Sequence, residues 1–373
     1  MRLDAFTKRV MRKNKSNQSR LPLTISAQYG LVDQITFFNK VVASTDLSNY
    51  YLLKKGEFAY NKSYSSDYPW GAIKRLDNYD QGALSSLYIC FAPQDNVVSD
   101  FILQYFESPK WHKGISEIAV EGARNHGLLN VAVQDFFHTY HYVPKDKKEQ
   151  IKISKLLMLL DERIATQNKI IEDLKKLKSA IIEIEYTPNA KTTSHIGDVI
   201  EQISKRNKNN AIQNVLSVSN RQGFIKQSDQ FENRNVASED TSNYKIVEKN
   251  DFAFNPARIN VGSIARLTTF EKGIVSPMYI CFRTQENVAP EYIDYFFESK
   301  HFYCEIQKRL EGSVRQCLSF EGLCNIPLSL PSFEMQQRIG KRLFTLGQKI
   351  KTETDLLELL NKQKQYLLRQ MFI

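Results

Sequence analysis

This 373-residue chain has few cysteines, and it lacks the short motifs that mark a zinc ribbon or a bound nucleotide. There is no Cys-x-x-Cys, and the odd count of five cysteines argues against a disulfide framework. No Gly-x-Gly-x-x-Gly and no Walker loop occurs, so nothing supports nucleotide hydrolysis or dinucleotide binding. Two cysteines, Cys90 and Cys281, lie in aromatic, β-branched runs, and we expect them to be buried strand residues in a reducing compartment. The remaining cysteines are Cys304, Cys317 and Cys324.

Long apolar runs are missing as well, and acidic residues are outnumbered by basic ones. No stretch of about 18 apolar residues exists, which predicts that nothing spans a membrane. The first residues are not followed by an apolar signal core, so we expect a cytoplasmic protein. The 51 Lys and Arg residues exceed the 41 Asp and Glu residues, giving a net charge of +10. This excess favours a polyanionic partner, although charge alone does not separate nucleic acid from an acidic membrane surface.

What the chain does contain is an internal repeat of about half its length. The sequence Ser48-Asn49-Tyr50 recurs 194 positions later as Ser242-Asn243-Tyr244. The sequence Tyr88-Ile89-Cys90-Phe91 recurs unchanged, 191 positions later, as Tyr279-Ile280-Cys281-Phe282. The repeat predicts two copies of one folded unit that present a similar surface twice, and therefore a bipartite ligand.

Each copy has the composition of a mixed α/β unit. The segments from Tyr88 to Phe91 and from Ile274 to Phe282 are rich in Ile, Tyr and Phe and predict strands. The segments 101–106 and 292–297 predict short amphipathic helices.

A long helix is predicted after each copy. From Lys147 to Glu183 there is neither Gly nor Pro, and a helix of this length would extend roughly 55 Å. Apolar residues with 3-4 spacing predict a coiled-coil seam here and again 186 positions later. The seam residues are Ile153, Leu157, Leu160, Ile164, Ile171, Leu174, Ile339, Leu343, Leu346, Ile350, Leu357 and Leu360.

The two seams also repeat their polar interruptions. Gln167 corresponds to Glu353, and Lys178 corresponds to Lys364. One interpretation is two independent surface helices, each packed on its own domain. The other is an antiparallel pair about a pseudo-two-fold axis, in which the polar positions help to fix the register. We favour the pair. The predicted architecture is α/β (α+β), with a first globular domain at 1–146, a first helix and the start of a linker at 147–186, a second globular domain at 187–332 and a second helix at 333–373.

Polar, basic and loop-like segments recur in both copies and are candidates for contact with DNA. They are a basic cluster early in each copy, the loops after the strands that end at Asn61 and Asn255, and the segments after Gly122 and Gly312. Lys and Arg neutralise phosphates, and Asn, Gln and Arg can hydrogen-bond base edges in the major groove. Solvated surface turns are the alternative for each cluster. The candidate residues are Arg12, Lys13, Lys15, Arg20, Lys62, Tyr64, Trp70, Lys74, Arg124, Lys205, Arg206, Lys208, Arg221, Arg258, Asn260, Arg266, Arg315 and Gln316.

Two variable α/β domains, each followed by a long repeated helix, resemble the specificity subunit of Type I restriction–modification systems. The resemblance covers essentially the whole chain. Its motifs are patterns of order and duplication more than invariant signatures. The stretches that carry it are Glu149-Gln150 through Ile182, Ile196-Gly197-Asp198-Val199-Ile200, Ile326-Pro327-Leu328, Leu330-Pro331 and Met335-Gln336-Gln337-Arg338-Ile339. The first copy departs from the family's domain opening, because Arg2-Leu3-Asp4-Ala5-Phe6 keeps the aspartate but starts abruptly, and the completeness of the N-terminus stays open.

The resemblance implies a non-catalytic subunit that binds double-stranded DNA. In the family, an antiparallel helical spacer separates two target-recognition domains that read two half-sites. Two N6-adenine methyltransferase subunits and two restriction or translocase subunits are the implied partners, with no membrane. S-adenosylmethionine, ATP and Mg are expected on those partners and no cofactor on this chain. A structural adaptor with tandem protein-binding domains is the alternative.

The residues themselves do not favour catalysis by this chain. Adenine methylation requires an Asn/Asp-Pro-Pro-aromatic motif, and Asn255-Pro256-Ala257 lacks both the second proline and the aromatic residue. The pair His138 and His141 has no matching carboxylate pattern, so we expect neither a metal site nor a catalytic site. The target sequence and the half-site spacing do not follow from the sequence, since DNA shape is read as well as base edges.

Overall fold

The chain folds into two compact units. The computed structural model describes residues 1–40, 42–119, 127–188, 194–230, 240–312 and 316–372. Unit 1 comprises Met1–Asn168 together with Asp355–Ile373, and unit 2 comprises Lys169–Thr354. Unit 1 thus takes its last residues from the far end of the chain.

Unit 1 is built on two four-stranded sheets. Its strands are β1 (Thr7–Arg9), β2 (Pro22–Ser26), β3 (Gly30–Asp33), β4 (Tyr51–Lys54), β5 (Phe58–Asn61), β6 (Ala72–Arg75), β7 (Gln81–Leu84) and β8 (Ile89–Pro93). Its shorter helices are α1 (Gln34–Phe38), α2 (Ser99–Glu107), α3 (His112–Ile118) and α4 (Val133–His138). The strand orders are β1-β8-β5-β6 and β3-β2-β7-β4. A 40-residue helix, α5 (Lys147–Tyr186), starts in unit 1 and ends in unit 2.

Unit 2 contains a similar set of elements. Its strands are β9 (Ser194–His195), β10 (Ile200–Ile203), β11 (Val215–Ser219), β12 (Gly223–Lys226), β13 (Lys245–Glu248), β14 (Phe252–Phe254), β15 (Ile264–Arg266), β16 (Lys272–Val275), β17 (Ile280–Thr284) and β18 (Pro327–Leu328). Its shorter helices are α6 (Gln227–Gln230), α7 (Pro290–Phe296), α8 (Lys300–Arg309) and α9 (Phe320–Cys324). A 38-residue helix, α10 (Phe333–Gln370), starts in unit 2 and ends in unit 1.

The two units share one topology. Unit 2 has the sheet orders β10-β17-β14-β15 and β12-β11-β16-β13, which match the orders of unit 1 strand for strand. In both, the second sheet contains one parallel pair, β2 with β7 and β11 with β16. The prediction of two copies of one mixed α/β unit is therefore confirmed.

Alternation along the strands explains how each first sheet is buried on both faces. In β5, Phe58 and Tyr60 enter the larger core against the helices, whereas Ala59 enters the smaller core between the two sheets. In β14, Phe252 and Phe254 face the helices, and Ala253 faces the second sheet. Large aromatic rings on one face and small side chains on the other give each unit three layers.

The two long helices run antiparallel within each unit. In unit 1, Leu157 near the start of α5 shares a core with Leu368 and Phe372 at the end of the chain. In unit 2, Ile181 near the end of α5 shares a core with Ile339 and Leu343 at the start of α10. All of the predicted seam residues are buried or partly buried.

The lysine interruptions of the seam make specific contacts. In unit 2, the Lys178 ammonium lies 2.6 Å from a Glu298 carboxylate oxygen and 5.1 Å from the centre of the Tyr295 ring. In unit 1, the Lys364 ammonium lies 2.5 Å from Asp161 of α5. Of these two lysines, Lys364 pairs across the two long helices, whereas Lys178 attaches α5 to the segment that follows α7.

Two local predictions have different outcomes. The strand-like segment Ile274–Phe282 contains parts of two strands, because a turn in which the Tyr279 amide donates to the Ser276 carbonyl separates β16 from β17. The buried cysteines are confirmed: Cys90 and Cys281 lie in β8 and β17, where burial raises the pKa of each thiol to about 12.

Candidate nucleic-acid interface

A basic turn follows β1 in unit 1 and β10 in unit 2, and a buried asparagine shapes each turn. These basic turns are residues 12–20 and 205–213. Asn14 donates from Nδ2 to the Ser19 carbonyl (2.8 Å) and accepts from the Ser19 amide (2.9 Å). Asn207 makes the same pair of bonds with Ile212 (2.9 and 3.1 Å). Both asparagines are almost fully buried, so each turn is closed around a satisfied amide and its cations project outwards.

The repeated Ser-Asn-Tyr motif supports these basic turns from outside. The amides of Asn14 and Asn207 donate to the carbonyls of Tyr50 and Tyr244, each at 3.0 Å. One position earlier, Lys13 donates to the Asn49 carbonyl at 2.7 Å and lies 4.6 Å from the centre of the Tyr51 ring. Arg206 donates to the side-chain oxygen of Asn243 at 2.9 Å. These cations are partly committed to holding the turn in place.

The first cation of the basic turn has a different role in the two units. Arg12 forms a forked ion pair with Glu57, at 2.9 and 3.2 Å, and Glu57 is buried. In unit 2 the acid equivalent to Glu57 is Asp251, and its cation is Arg283 of β17 at 3.1 Å. Burial raises the pKa of Asp251, and Arg283 opposes that effect. Among the residues that the structure describes, exposed Lys205 has no such forked pair, whereas Arg12 is part of the fold.

The second candidate group is the loop between the matched strands β5–β6 and β14–β15. These variable loops, residues 61–71 and 255–262, have the same ends. Asn61 accepts from the Ser63 amide (3.0 Å), and Asn255 accepts from the Ala257 amide (3.1 Å). Each loop closes on a glycine with φ near +80°, Gly71 at 77° and Gly262 at 87°. Between these fixed ends the loops differ in length and in every polar side chain.

The structure brings the third candidate segment next to the variable loop in both units. In unit 1, the Tyr64 amide donates to the Gly127 carbonyl and the Leu129 amide donates to the Lys62 carbonyl. In unit 2, the Leu318 amide donates to the Pro256 carbonyl, two residues after the exposed Gln316. Segments that are far apart in sequence thus form one surface. Arg124 and Arg315, predicted for the same segments, lie outside the described residues.

Besides Arg12, three further predicted contact residues are engaged inside the fold. Lys74 pairs with Glu107 at 2.6 Å. Arg266, with a side chain only 9% exposed, pairs with Glu291 at 2.5 Å and Asp294 at 3.1 Å. Trp70 packs against the larger core of unit 1, and its carbonyl accepts from the Tyr60 hydroxyl. Their DNA contacts stay predictions, but these side chains already have partners in the folded protein.

The remaining predicted residues lie at the surface. Lys62 and Asn260 are half-buried. The exposed ones are Lys15, Arg20, Tyr64, Lys208, Arg221, Arg258 and Gln316.

Sequence reasoning did not single out the residues that organise the site. Asn14 and Asn207 lie in Arg12-Lys13-Asn14-Lys15 and Lys205-Arg206-Asn207-Lys208, which align at an offset of 193 and could have been found by that match. Lys272 of β16 lies beside the basic turn of unit 2, in a groove of about 720 Å³. It is distant in sequence, and no local pattern pointed to it.

The histidine pair is not arranged as a metal site. His141 is buried, with Nδ1 3.0 Å from the Tyr105 hydroxyl and Nε2 2.7 Å from the Thr139 hydroxyl. Burial lowers the pKa of His141 to about 4. His138 lies at the surface near Asp4. Within the described ranges, no cluster of His, Cys, Asp or Glu is suited to hold a metal ion, and no helix combines the length and apolarity needed to cross a membrane.

A family model, the Type I restriction modification DNA specificity domain, matches residues 188–362. Residues 1–93 repeat the strand order of that matched region. Residues 188–362 are therefore similar to the DNA specificity domain of Type I restriction–modification systems. No curated protein sequence matches it.

Two solved structures share the fold of this chain. The S subunit of a Type I restriction–modification system from M. genitalium aligns with a TM-score of 0.57 at 15% identity, covering 100% of this chain and 95% of that one. A chain from a study of complex assembly and conformational transition of the type I system aligns with a TM-score of 0.56 at 13% identity, covering 99% and 95%. At such low identity the likeness concerns the fold.

Proposed function

We propose that this chain reads a bipartite DNA target, one half-site with each unit, and directs partner subunits to it. The carrying observation is that matched strands and matched loop ends hold variable loops that do not match. Two units with the same strands but different loops are suited to recognise two different DNA sequences. The family match supports recognition of DNA sequence as the activity of the chain.

Within each unit, we assign phosphate contacts and base contacts to different segments according to the chemistry of their side chains. The exposed ammonium groups of Lys15, Lys205 and Lys208 would contact phosphates, because a lysine on a rigid turn neutralises charge without requiring a particular base. The variable loops and the segments beside them would read base edges. They carry Tyr64 in unit 1, and Arg258 and Gln316 in unit 2, which are side chains able to donate to or stack on bases.

The partners proposed for this chain are double-stranded DNA, two N6-adenine methyltransferase subunits and two restriction or translocase subunits. The near-equality of the two units would offer the same docking surface twice. S-adenosylmethionine, ATP and Mg would then be held by those partners, and this chain would act without chemistry of its own.

Methylome sequencing tests the proposal. Cells that lose this chain should lose one bipartite adenine-methylated motif. Exchange of residues 255–262 for the loop of another specificity protein should alter one half of the motif and leave the other half and the spacing unchanged. A motif that disappears or changes in both halves together would contradict the assignment of one unit to each half-site.

Salt dependence separates the proposal from the adaptor alternative. If the protein, assembled with its partners, binds DNA through phosphates, its affinity should fall steeply between about 50 and 200 mM salt. A flat salt response, with partner proteins bound through the same loops, would favour a tandem protein-binding adaptor.

A further inference from the structure

The strongest unexplained feature is a buried glutamine in the first turns of each long helix. Gln150 of α5 is 1% exposed and Gln336 of α10 is 2% exposed. They are separated by 186 positions, the same offset as the two seams. Glutamine is seldom buried unless its amide is fully bonded, so two such residues at matched positions call for a physical role.

Each glutamine side chain hydrogen-bonds two backbone groups that occupy equivalent positions in the two units. Gln150 accepts from the Val98 amide at 2.7 Å and donates to the Pro144 carbonyl at 2.7 Å. Gln336 accepts from the Ala289 amide at 3.0 Å and donates to the Pro331 carbonyl at 2.9 Å. Val98 and Ala289 are the N-cap residues of α2 and α7, and neither helix has a side-chain cap of its own. One amide thus joins the long helix to the domain helix and to the proline before the long helix.

The helices approach closely at the same place. One turn beyond Gln336 lies Gly340, where an added Cβ would stand 2.8 Å from the Cβ of Glu291. The equivalent residue in α5 is the small, buried Ser154. The contact between the long helix and the domain helix is therefore short-range and leaves little room for a change of angle.

A second polar contact continues from the domain helix towards the variable loop. Arg75, at the end of β6, donates to Asp100 in the first turn of α2 at 2.7 Å. Arg266, at the end of β15, donates to Glu291 in the first turn of α7 at 2.5 Å. β6 starts directly after its variable loop, and β15 starts one residue after its variable loop. The strand that follows each variable loop is thus connected to the domain helix by one arginine, and the domain helix is connected to the long helix by one glutamine.

We propose that Gln150 and Gln336 are positioning residues that fix the angle between each recognition unit and the long helix, and so fix the number of base pairs between the two half-sites. The inference rests on the proposed bipartite function. It assigns half-site identity to the variable loops and half-site spacing, in part, to the two glutamines. Loss of either amide frees one unit to bind half-sites at a neighbouring spacing, while the base contacts within each half-site are kept.

The test is the methylome of cells whose only copy of this chain carries Gln150→Met, Gln336→Met or both. Methionine keeps the size of the side chain and removes both hydrogen bonds. We expect methylation of sites with one base pair more or fewer between unchanged half-sites to rise at least about ten-fold over wild type, and more in the double variant, since a ten-fold change corresponds to a modest energy. The matched controls are Gln337→Met and Lys152→Met, at exposed neighbouring positions.

A conservative variant separates positioning from general destabilisation. Gln150→Glu keeps an acceptor for the Val98 amide but cannot donate to the Pro144 carbonyl. Its methylation of sites with one base pair more or fewer should therefore lie between the levels of wild type and Gln150→Met. A distance measurement between spin labels on Leu87→Cys and Leu156→Cys, both exposed in unit 1, with Cys304, Cys317 and Cys324 replaced by serine, should show a broader distribution in Gln150→Met.

The outcomes distinguish the two levels of the argument. Broadened spacing with intact half-sites, together with a broadened label distance, supports the positioning role. A single unchanged spacing in all variants, with merely lower methylation, overturns that role and leaves the proposed function standing. Absence of any bipartite motif in wild-type cells overturns both.

Discussion

Units 1 and 2 have the same strand order, the same closed basic turn and the same glutamine contact to a long helix, yet they solve several local problems with different residues. The buried acid Glu57 is neutralised by Arg12 of the basic turn, and its counterpart Asp251 by Arg283 of a strand. The core of unit 1 encloses His141 where the core of unit 2 has Leu328. The two units keep the same backbone framework. The differences in ion pairing between them show which basic side chains are free to bind a ligand.

The largest expected effect concerns His141. The pairing of Arg2 with Tyr140, and of His195 with Pro327, places His141 at the position of Leu328. Its pKa is lowered from 6.5 to about 4 by burial. The unfolded chain therefore binds a proton that the folded chain does not, and the stability of unit 1 should fall as pH drops from about 6.5 to 4, by up to about 3 kcal/mol.

His141→Leu should remove most of this acid sensitivity, and the remainder is expected from His112 of the same unit, whose pKa burial also lowers. Both tryptophans, Trp70 and Trp111, lie in unit 1, so denaturant unfolding followed by tryptophan fluorescence between pH 7 and pH 4 reports on that unit. An equally steep loss of stability in the variant would show that another group titrates.

The second prediction compares equivalent cations of the two basic turns. Arg12→Ala should destabilise unit 1 by roughly 1–3 kcal/mol, because it leaves the buried Glu57 without its ion pair. Lys205→Ala should change the stability of unit 2 by less than about 0.5 kcal/mol and should weaken DNA binding instead. Denaturant unfolding and DNA titration of both variants measure this split. Equal loss of stability in the two would mean that the exposed lysine is also structural.

The third prediction concerns the outermost lysines. In the described part of the chain, the side chains of Lys15 and Lys208 make no hydrogen bond or ion pair. Their alanine variants should each lower the slope of log affinity against log salt by about 1 and weaken all DNA sequences alike. Lys249→Ala, whose ammonium pairs with the exposed Glu271, is the control and should leave the slope unchanged. A change in the target sequence would indicate a base contact.

The smallest effects are expected at the seam lysines. Lys178→Met should cost unit 2 about 0.5 kcal/mol, since the pair with Glu298 is partly exposed. Lys364→Met should cost unit 1 somewhat more, about 1 kcal/mol, because Lys364 faces Asp161, which also accepts from Gln104. Hydrogen exchange of α5 in the two variants would measure the difference in stability. An identical change in exchange would contradict the larger contribution assigned to Lys364.

Much of the fold could be predicted from local pattern. The repeat, the 3-4 spacing of the long helices and the alternation of aromatic strands depend on residues near one another in sequence. The roles of Lys178 and Lys364 could not be predicted from the sequence. A polar residue in a seam has the same sequence pattern whether it faces the other helix or a globular domain. Lys74 and Arg266 could not be assigned either, since their acids come from α2 and α7.

The sequence by itself determined that the chain is a duplicated α/β unit with long helices and diverged polar loops, because repetition and periodicity are properties of the order of residues. Only the tertiary structure decided which of the repeated charges are free. It paired Arg12 with Glu57 and Arg266 with Glu291, and it left Lys15 and Lys208 in solvent. The reason is that a buried charge must find a partner across the fold, and the position of that partner is fixed by how strands and helices pack rather than by distance along the chain.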